Sequence, residues 1–123
     1  MNKEKEALER MTDSLVTIAA ELFRFQKNME KAFDTLPLSE QEKYRSQYTW
    51  FAKRVNKALE EADLHIRDLK GQPYDTGMAV TPLNLEEFDP GDTLYIDQMI
   101  VPVVMQGDKV YRSGTVLLRR ENE

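Results

Sequence analysis

Apolar residues recur along the first third of the chain at alternating steps of three and four residues. This heptad pattern places them on one line of an α-helix, and we call this line the seam. The seam residues are Leu8, Met11, Leu15, Ile18, Leu22, Phe25, Met29, Ala32 and Leu36. An apolar line of this kind is typical of a helix that packs against another helix, from the same chain or from a second copy. We therefore predict that the first seven seam residues form a dimer interface.

The pattern predicts two helices, one from about Lys3 to Asp34 and one from about Glu40 to Lys70. Pro37 ends the first helix because proline cannot donate a backbone hydrogen bond. Ser39 and, three residues later, Glu42 match the capping box that begins many helices. The break between the two helices is therefore specified locally.

The second helix also has an apolar line, and its spacing favours a bundle. This line comprises Tyr44, Tyr48, Phe51, Val55, Leu59, Ala62, Ile66 and Leu69. Two successive steps of four form a stutter, which relaxes supercoiling, and Gly71 suits a helix C-cap. On the first helix, Val16 and Phe23 widen the apolar face. The short linker predicts a helical hairpin, two copies of which would pair as a dimeric four-helix bundle. A long rod with a kink at Pro37 is the alternative.

After Gly71 the composition changes to proline, glycine and β-branched residues, which predicts a small curled β domain. The predicted strands are Met78 to Leu83, Thr93 to Met105, Lys109 to Arg112 and Thr115 to Arg119. The longest needs a bulge or corner near Gln98 to Pro102, since proline cannot join a central ladder. Pro90 and Gly91 predict a type II turn from Asp89 to Asp92. The sequence thus predicts an α+β fold with a helical dimerisation region (1–71), a linker (72–77) and a β domain (78–120).

Composition and charge exclude several classes of function. There are 17 lysines and arginines against 22 acidic residues, and the resulting net charge of −5 disfavours nucleic acid as a partner. The chain has no cysteine, which excludes disulfides and thiolate chemistry and fits the cytoplasm. We recognise neither a signal peptide nor a membrane span, so we expect no membrane association. The five glycines are scattered singly, and no phosphate-binding loop is recognisable.

The residues capable of acid–base or metal chemistry do not form a known catalytic pattern. His65, the only histidine, lies near Glu61 and Asp68 in sequence, and a carboxylate could orient it as a base. No nucleophile motif accompanies it, so we interpret His65 as structural or solvated. Two acidic groups lack the regular spacing of a calcium loop: Glu60, Glu61 and Asp63, and Glu86, Glu87, Asp89 and Asp92. We therefore predict a protein that is not an enzyme and has no metal or cofactor.

Two groups of residues are candidates for binding a protein partner. Trp50 is followed by Lys53, Arg54 and Lys57, and it could pack in the bundle, anchor a protein or stack on bases. In the β domain the Phe88–Asp89 turn is accompanied by Met99, Met105 and Arg112 on nearby strands. Methionine suits adaptable contacts, although packing in the core is an alternative for Phe88.

The β region resembles a known family. The resemblance rests on four features in chain order. They are Phe88-Asp89-Pro90, an apolar strand through Pro102-Val103-Val104-Met105, a glycine turn and a closing strand Gly114-Thr115-Val116-Leu117-Leu118. This arrangement, over about forty residues, is similar to the β domain of GrpE, the nucleotide exchange factor of heat-shock chaperone ATPases. The resemblance implies a homodimer joined through long helices and a four-helix bundle, with a chaperone-type ATPase as partner. Leu85 stands where the family usually has glycine. A dimeric scaffold or adaptor that serves another assembly is the alternative function.

Overall fold

The computed structural model describes residues 2–121 and has an α+β fold, with two helices followed by a small sheet domain of mixed strands, as predicted. The chain divides into two compact units, Met1–His65 and Ile66–Glu123. We call them the helical unit and the β unit. Within residues 2–121, neither helix has an apolar stretch long enough to cross a membrane.

The helical unit contains α1 (Asn2–Phe33) and α2 (Leu38–Glu61). The predicted capping box is wrong, because no side chain caps the start of α2. The carbonyl of Pro37 accepts the first helical hydrogen bonds, so the helix already includes Ser39. The Gln41 side-chain amide donates to the carbonyl of Leu36 over 2.8 Å, a contact with the turn between the helices that does not cap α2. The predicted break therefore lies in the right place but without the predicted cap.

Side chains near the turn hold α1 and α2 together as a hairpin. The rings of Phe33 and Tyr48 meet edge to face at 5.6 Å between centroids, and Arg45 forms an ion pair with Asp34. The Tyr48 hydroxyl donates to a carboxylate oxygen of Glu30 over 2.8 Å. Burial and this contact with Glu30 raise the pKa of Tyr48 above its ordinary value of 10.0. Because these contacts join the two helices, the alternative of a continuous rod is wrong.

The second helix is shorter than predicted, because it ends at Glu61 and not at Lys70. Asp63 has φ 57°, a left-handed conformation that aspartate tolerates better than most residues and that ends the helical path. The chain then forms β1 (Leu64–Arg67), in which Leu64 is buried and Ile66 half-buried, while His65 and Arg67 are exposed. An alternation with a period of two fits a strand. The division between the units falls within this strand.

The β unit is built around strand β6. The remaining strands are β2 (Val80–Pro82), β3 (Leu94–Val101), β4 (Val103–Gln106), β5 (Lys109–Arg112) and β6 (Gly114–Arg120). Together with β1 they form two three-stranded sheets, ordered β1-β4-β5 and β2-β6-β3. β6 pairs in parallel with β2 and antiparallel with β3. Pro102 separates β3 from β4, which confirms the predicted corner.

Two turns of the β unit contain glycines with different backbone conformations. Gly107 has φ 60° in the reversal between β4 and β5, in the left-handed region that glycine adopts readily. The Asp92 amide donates to the Asp89 carbonyl and closes the other turn. Gly91 does not have a positive φ, so the predicted type II turn is wrong. The presence of Pro90 does not separate a type I from a type II turn, since proline suits the second position of both.

The core of the β unit is apolar and closely packed around Gly114. Its buried residues are Leu94, Ile96, Met99, Pro102, Val103, Val104, Val116 and Leu118. A Cβ atom on Gly114 would lie 2.7 Å from the Val101 carbonyl oxygen and 3.1 Å from the side chains of Met99 and Val103. Glycine at this position therefore permits the close approach of β3, β4 and β6.

We expect Gly114→Ala to destabilise the β unit by about 1–3 kcal/mol, because the added methyl group must displace backbone. Urea unfolding followed through the amide signals of β3 and β6 measures this change. Gly91→Ala is the matched control, because nothing lies within 4 Å of its Cβ position and its φ is not positive. It should be neutral or slightly stabilising. Equal effects of the two substitutions would contradict the packing argument.

Candidate functional site

The predicted dimer residues form an exposed apolar face of α1, which we call the open face. Its members are Leu8, Met11, Leu15, Ile18, Leu22, Phe25 and Met29. Leu8 and Met11 are each 65% exposed, and Leu22 and Met29 are partly exposed. A different set is buried, namely Val16, Ala19, Ala20, Phe23 and Phe33. At 100° per residue, the centre of the open face lies roughly 120° around the helix from the first four buried residues. Thus α1 has two apolar directions between Leu8 and Met29, and the single chain buries one of them.

The open face continues into a groove between the two helices. Phe25 and Met29 of α1 line it together with Tyr44, Trp50 and Phe51 of α2, and its volume is about 690 Å³. Large exposed apolar patches on a folded unit are typical of sites that bind another protein. The groove and the open face therefore make one candidate interface on the helical unit.

Trp50 is 64% exposed and lies beside this groove. The guanidinium of Arg54 lies 5.1 Å from the centroid of its ring, which is within the range of a cation–π contact. Within the single hairpin Trp50 is thus not a core residue, and its ring is accessible to a partner.

The structure separates the candidate partner-binding residues of the β unit. Phe88 and Asp89 line one cleft, with Phe88 half-buried and Asp89 exposed. Met99 is only 7% exposed, so it belongs to the core and cannot contact a partner directly. Met105 and Arg112 are half-buried on the hairpin of β4 and β5 and do not line the cleft. The prediction of one surface formed by all five residues is therefore not met.

The cleft that contains Phe88 and Asp89, which we call the acidic cleft, has a volume of about 490 Å³. It is lined by Tyr74, Asp75, Thr76, Leu85, Phe88, Asp89, Pro90, Asp92 and Leu94. Buried Leu94 comes from the start of β3, and the other lining residues come from two loops. A volume between about 300 and 1,000 Å³ is typical of sites that enclose a small molecule or part of a ligand.

The first wall of the acidic cleft is fixed to β3 by backbone hydrogen bonds. The amide of Gly71 donates to the Ile96 carbonyl, and the Ile96 amide donates to the carbonyl of Gln72. The Tyr74 amide donates to the Leu94 carbonyl over 2.9 Å. This segment therefore runs alongside β3 and brings Tyr74, and after it Asp75, to the edge of the cleft.

The second wall is fixed to β6 by the side chain of Asn84. Its amide nitrogen donates to the Leu118 carbonyl over 3.0 Å, and its amide oxygen accepts the Leu118 N–H over 2.9 Å. The side chain thus pairs with the backbone of β6 just beyond the end of β2. A 3-10 helical turn (Leu85–Glu87) and Phe88 follow directly. Asn84 therefore sets where this wall leaves the sheet.

Arg120 and Asp92 hold the turn of the second wall in place. One carboxylate oxygen of Asp92 accepts the Asp89 N–H over 2.9 Å and the Arg120 Nε–H over 3.1 Å. The Arg120 guanidinium lies 5.0 Å from the Phe88 ring centroid. Asp92 is thus the residue that caps the turn, and the carboxylate of Asp89 stays exposed.

Sequence reasoning missed Asn84, Arg120, Tyr74 and Asp75. A weak signal existed for Asn84, since asparagine after a strand often bonds to backbone. Nothing local could indicate that its partner is Leu118, because 34 residues separate them. The same holds for Arg120 and Asp92, which are 28 residues apart.

The histidine and the acidic groups do not form an evident catalytic centre. His65 is exposed on β1, and its Nε2 lies 3.3 Å from a carboxylate oxygen of Asp63. His65 therefore does not lie on the second helix, where the predicted range to Lys70 would have placed it, since α2 ends at Glu61. Among residues 2–121 no three histidine, cysteine or acidic side chains converge as metal ligands would.

No protein-family model matches the sequence, no curated protein matches it, and no solved structure matches its fold. The functional argument therefore depends on the residues themselves.

We expect Asn84→Ala to destabilise the β unit by about 1–3 kcal/mol, because both backbone groups of Leu118 lose a partner. Amide hydrogen exchange at Leu118 should become faster, and NMR exchange measurements check this. Asn56→Ala, at an exposed position of α2, is the matched control and should leave Leu118 unchanged. Unchanged exchange at Leu118 in Asn84→Ala would contradict the pairing role.

Proposed function

We propose that this protein is a non-catalytic homodimer that binds a heat-shock chaperone-type ATPase and acts as a GrpE-like nucleotide exchange factor. The observation that carries the proposal is the open face of α1. Its exposed leucine, isoleucine, methionine and phenylalanine side chains would be unfavourable in water and are suited to a second copy of the same hairpin.

A second hairpin on the open face and groove would form a four-helix bundle. Each copy would contribute α1 and α2, and the groove residues Phe25, Tyr44 and Phe51 would be covered by the partner. An interface that uses the same patch on both copies is the commonest symmetry among homo-oligomers. The dimer would then hold two β units, each available for contact with an ATPase.

The β unit supports the proposal through its anchored loops. Phe88 and Asp89 belong to the Phe-Asp-Pro sequence that carries the resemblance to GrpE, and both line the acidic cleft. Contact that is stronger with the open form of the ATPase would shift its population toward that form and release the nucleotide. This mechanism needs no catalytic group in the present chain.

The second candidate function is a dimeric adaptor for another protein assembly. Leu85 favours it, because this side chain is 44% exposed and lines the cleft where the family usually has glycine. A changed cleft surface fits a different partner. The same dimer would then serve to present two identical binding sites.

Release of a fluorescent nucleoside diphosphate from a chaperone ATPase tests the exchange function. Coupling free energies of about 1–3 kcal/mol predict that the protein lowers nucleotide affinity about 5–150-fold, with faster release. Stopped-flow fluorescence measures the release rate, and an unrelated ATPase serves as the control. Absence of binding to every chaperone ATPase tested would overturn this function and leave the adaptor.

Leu15→Glu should convert the dimer into a monomer, because it places a charge in the centre of the proposed interface. Sedimentation equilibrium measures the change, with circular dichroism to show that the helices remain folded. Asn28→Glu is the matched control, because it adds the same charge at an exposed position outside both apolar directions of α1. A monomeric wild-type protein, or a dimer unaffected by Leu15→Glu, would show that the open face is not the interface.

A further inference from the structure

We infer that the acidic cleft binds a segment of the partner protein in which an arginine or lysine stands next to an apolar side chain. The inference rests on the proposed function for the nature of the partner, and it assigns the chemistry that the β unit recognises. Three properties of the cleft carry it: its apolar surface, its exposed carboxylates and the charge of the whole β unit.

The apolar surface of the cleft suits the hydrocarbon stem of a long side chain. The Phe88 ring is half-buried, and Leu85 and Tyr74 contribute further apolar area around the buried side chain of Leu94. Lysine and arginine bury their methylene stems along such surfaces while the charged end stays in a polar environment. A neighbouring leucine or similar residue of the partner would fill the rest of the 490 Å³.

The charges of the cleft select a cation at its rim. Three aspartates line it, and among the described residues no lysine or arginine does. The carboxylate of Asp92 accepts a hydrogen bond from Arg120, whereas the side chains of Asp75 and Asp89 are exposed. The Asp75 carboxylate also accepts the Gly77 N–H over 3.2 Å. Guanidinium and ammonium groups donate to carboxylates with charge-assisted hydrogen bonds. Asp75 and Asp89 are thus the residues that would meet the charged end of the partner side chain.

The charge of the chain is concentrated in the β unit. Residues 66–123 contain ten acidic and six basic residues, so they carry −4 of the net charge of −5. The 3-10 turn adds exposed Glu86 and Glu87 beside the cleft. A field of one sign speeds the encounter with a partner of the opposite sign and disfavours acidic partners. The negative charge of the cleft and that of its surroundings therefore both favour a basic partner segment.

The walls of the cleft make it a defined site and not only an exposed loop. Tyr74 is fixed to β3 through its backbone, and Asn84 and Arg120 fix the opposite wall to β6. Because both walls are anchored to adjacent strands of one sheet, the backbone that carries the rim side chains does not have to be ordered when the partner binds. Preorganisation of this kind lowers the entropic cost of binding.

Two short synthetic peptides with a fluorescent label test the inference directly on the full chain. In one, arginine alternates with leucine, and in the other, glutamate replaces each arginine. Fluorescence anisotropy should show binding of the arginine peptide at least tenfold tighter than of the glutamate peptide. The affinity for the arginine peptide should fall as salt rises.

Charge reversal of the cleft should reverse this preference. Asp75→Lys with Asp89→Lys should weaken binding of the arginine peptide about tenfold and strengthen binding of the glutamate peptide. Asp108→Lys with Glu121→Lys is the matched control, since it makes the same change in net charge at exposed positions of the β unit outside the cleft. Equal effects of the two double variants would show that only overall charge matters, and this would overturn the inference.

A milder variant protects the test against loss of folding. Asp75→Asn with Asp89→Asn keeps the acceptor for the Gly77 N–H and should weaken binding of the arginine peptide about threefold. Unchanged affinity in both cleft variants would also overturn the inference. Faster nucleotide release by the wild-type protein in that case would leave the exchange function standing. Binding of the arginine peptide without any effect on nucleotide release would instead support the cleft and favour the adaptor.

Discussion

The helical unit is governed by a mismatch between the apolar surface of α1 and the single helix available to cover it. Val16, Ala19, Ala20 and Phe23 are buried, while Leu8, Met11, Leu15 and Ile18 remain exposed. The turn contacts among Glu30, Phe33 and Tyr48 fix α2 on one side of α1. Those contacts therefore decide which apolar residues of α1 stay exposed in the single chain.

The β unit depends in the same way on one element, strand β6. It is paired with a strand on both sides. Its residues Leu118 and Arg120 also form hydrogen bonds with Asn84 and Asp92, which hold one wall of the acidic cleft. The small core is completed where Gly114 allows β3 and β4 to approach. Because so many contacts converge on β6, both the stability of the β unit and the position of the cleft depend on this strand.

Sequence periodicity predicted α1, the hairpin and the Pro102 corner well, since each is specified by neighbouring residues. It failed at the end of α2, because Ile66 and Leu69 continue the helical spacing of Leu59 and Ala62 although the chain turns at Asp63. It identified the seam but not that Val16 and Phe23 would form the buried face. Which of two apolar directions a helix buries depends on where its neighbour packs, and the neighbour is positioned by contacts such as Glu30 with Tyr48. The cleft was foreseen only at Phe88 and Asp89, because the pairs that build it are distant in sequence.

The pairing of Asn84 with Leu118 has a consequence for how this protein can change. A side chain takes the place of one more residue of strand, so the ladder ends in satisfied hydrogen bonds and the loop beyond it is not needed to complete the sheet. Asp75 and Asp89, at the rim, have no part in the core. Under the proposed function, substitutions at the rim would therefore change the partner that is recognised while the sheet retains its stability. The β unit in this sense is a scaffold whose rim can be changed by evolution or by redesign.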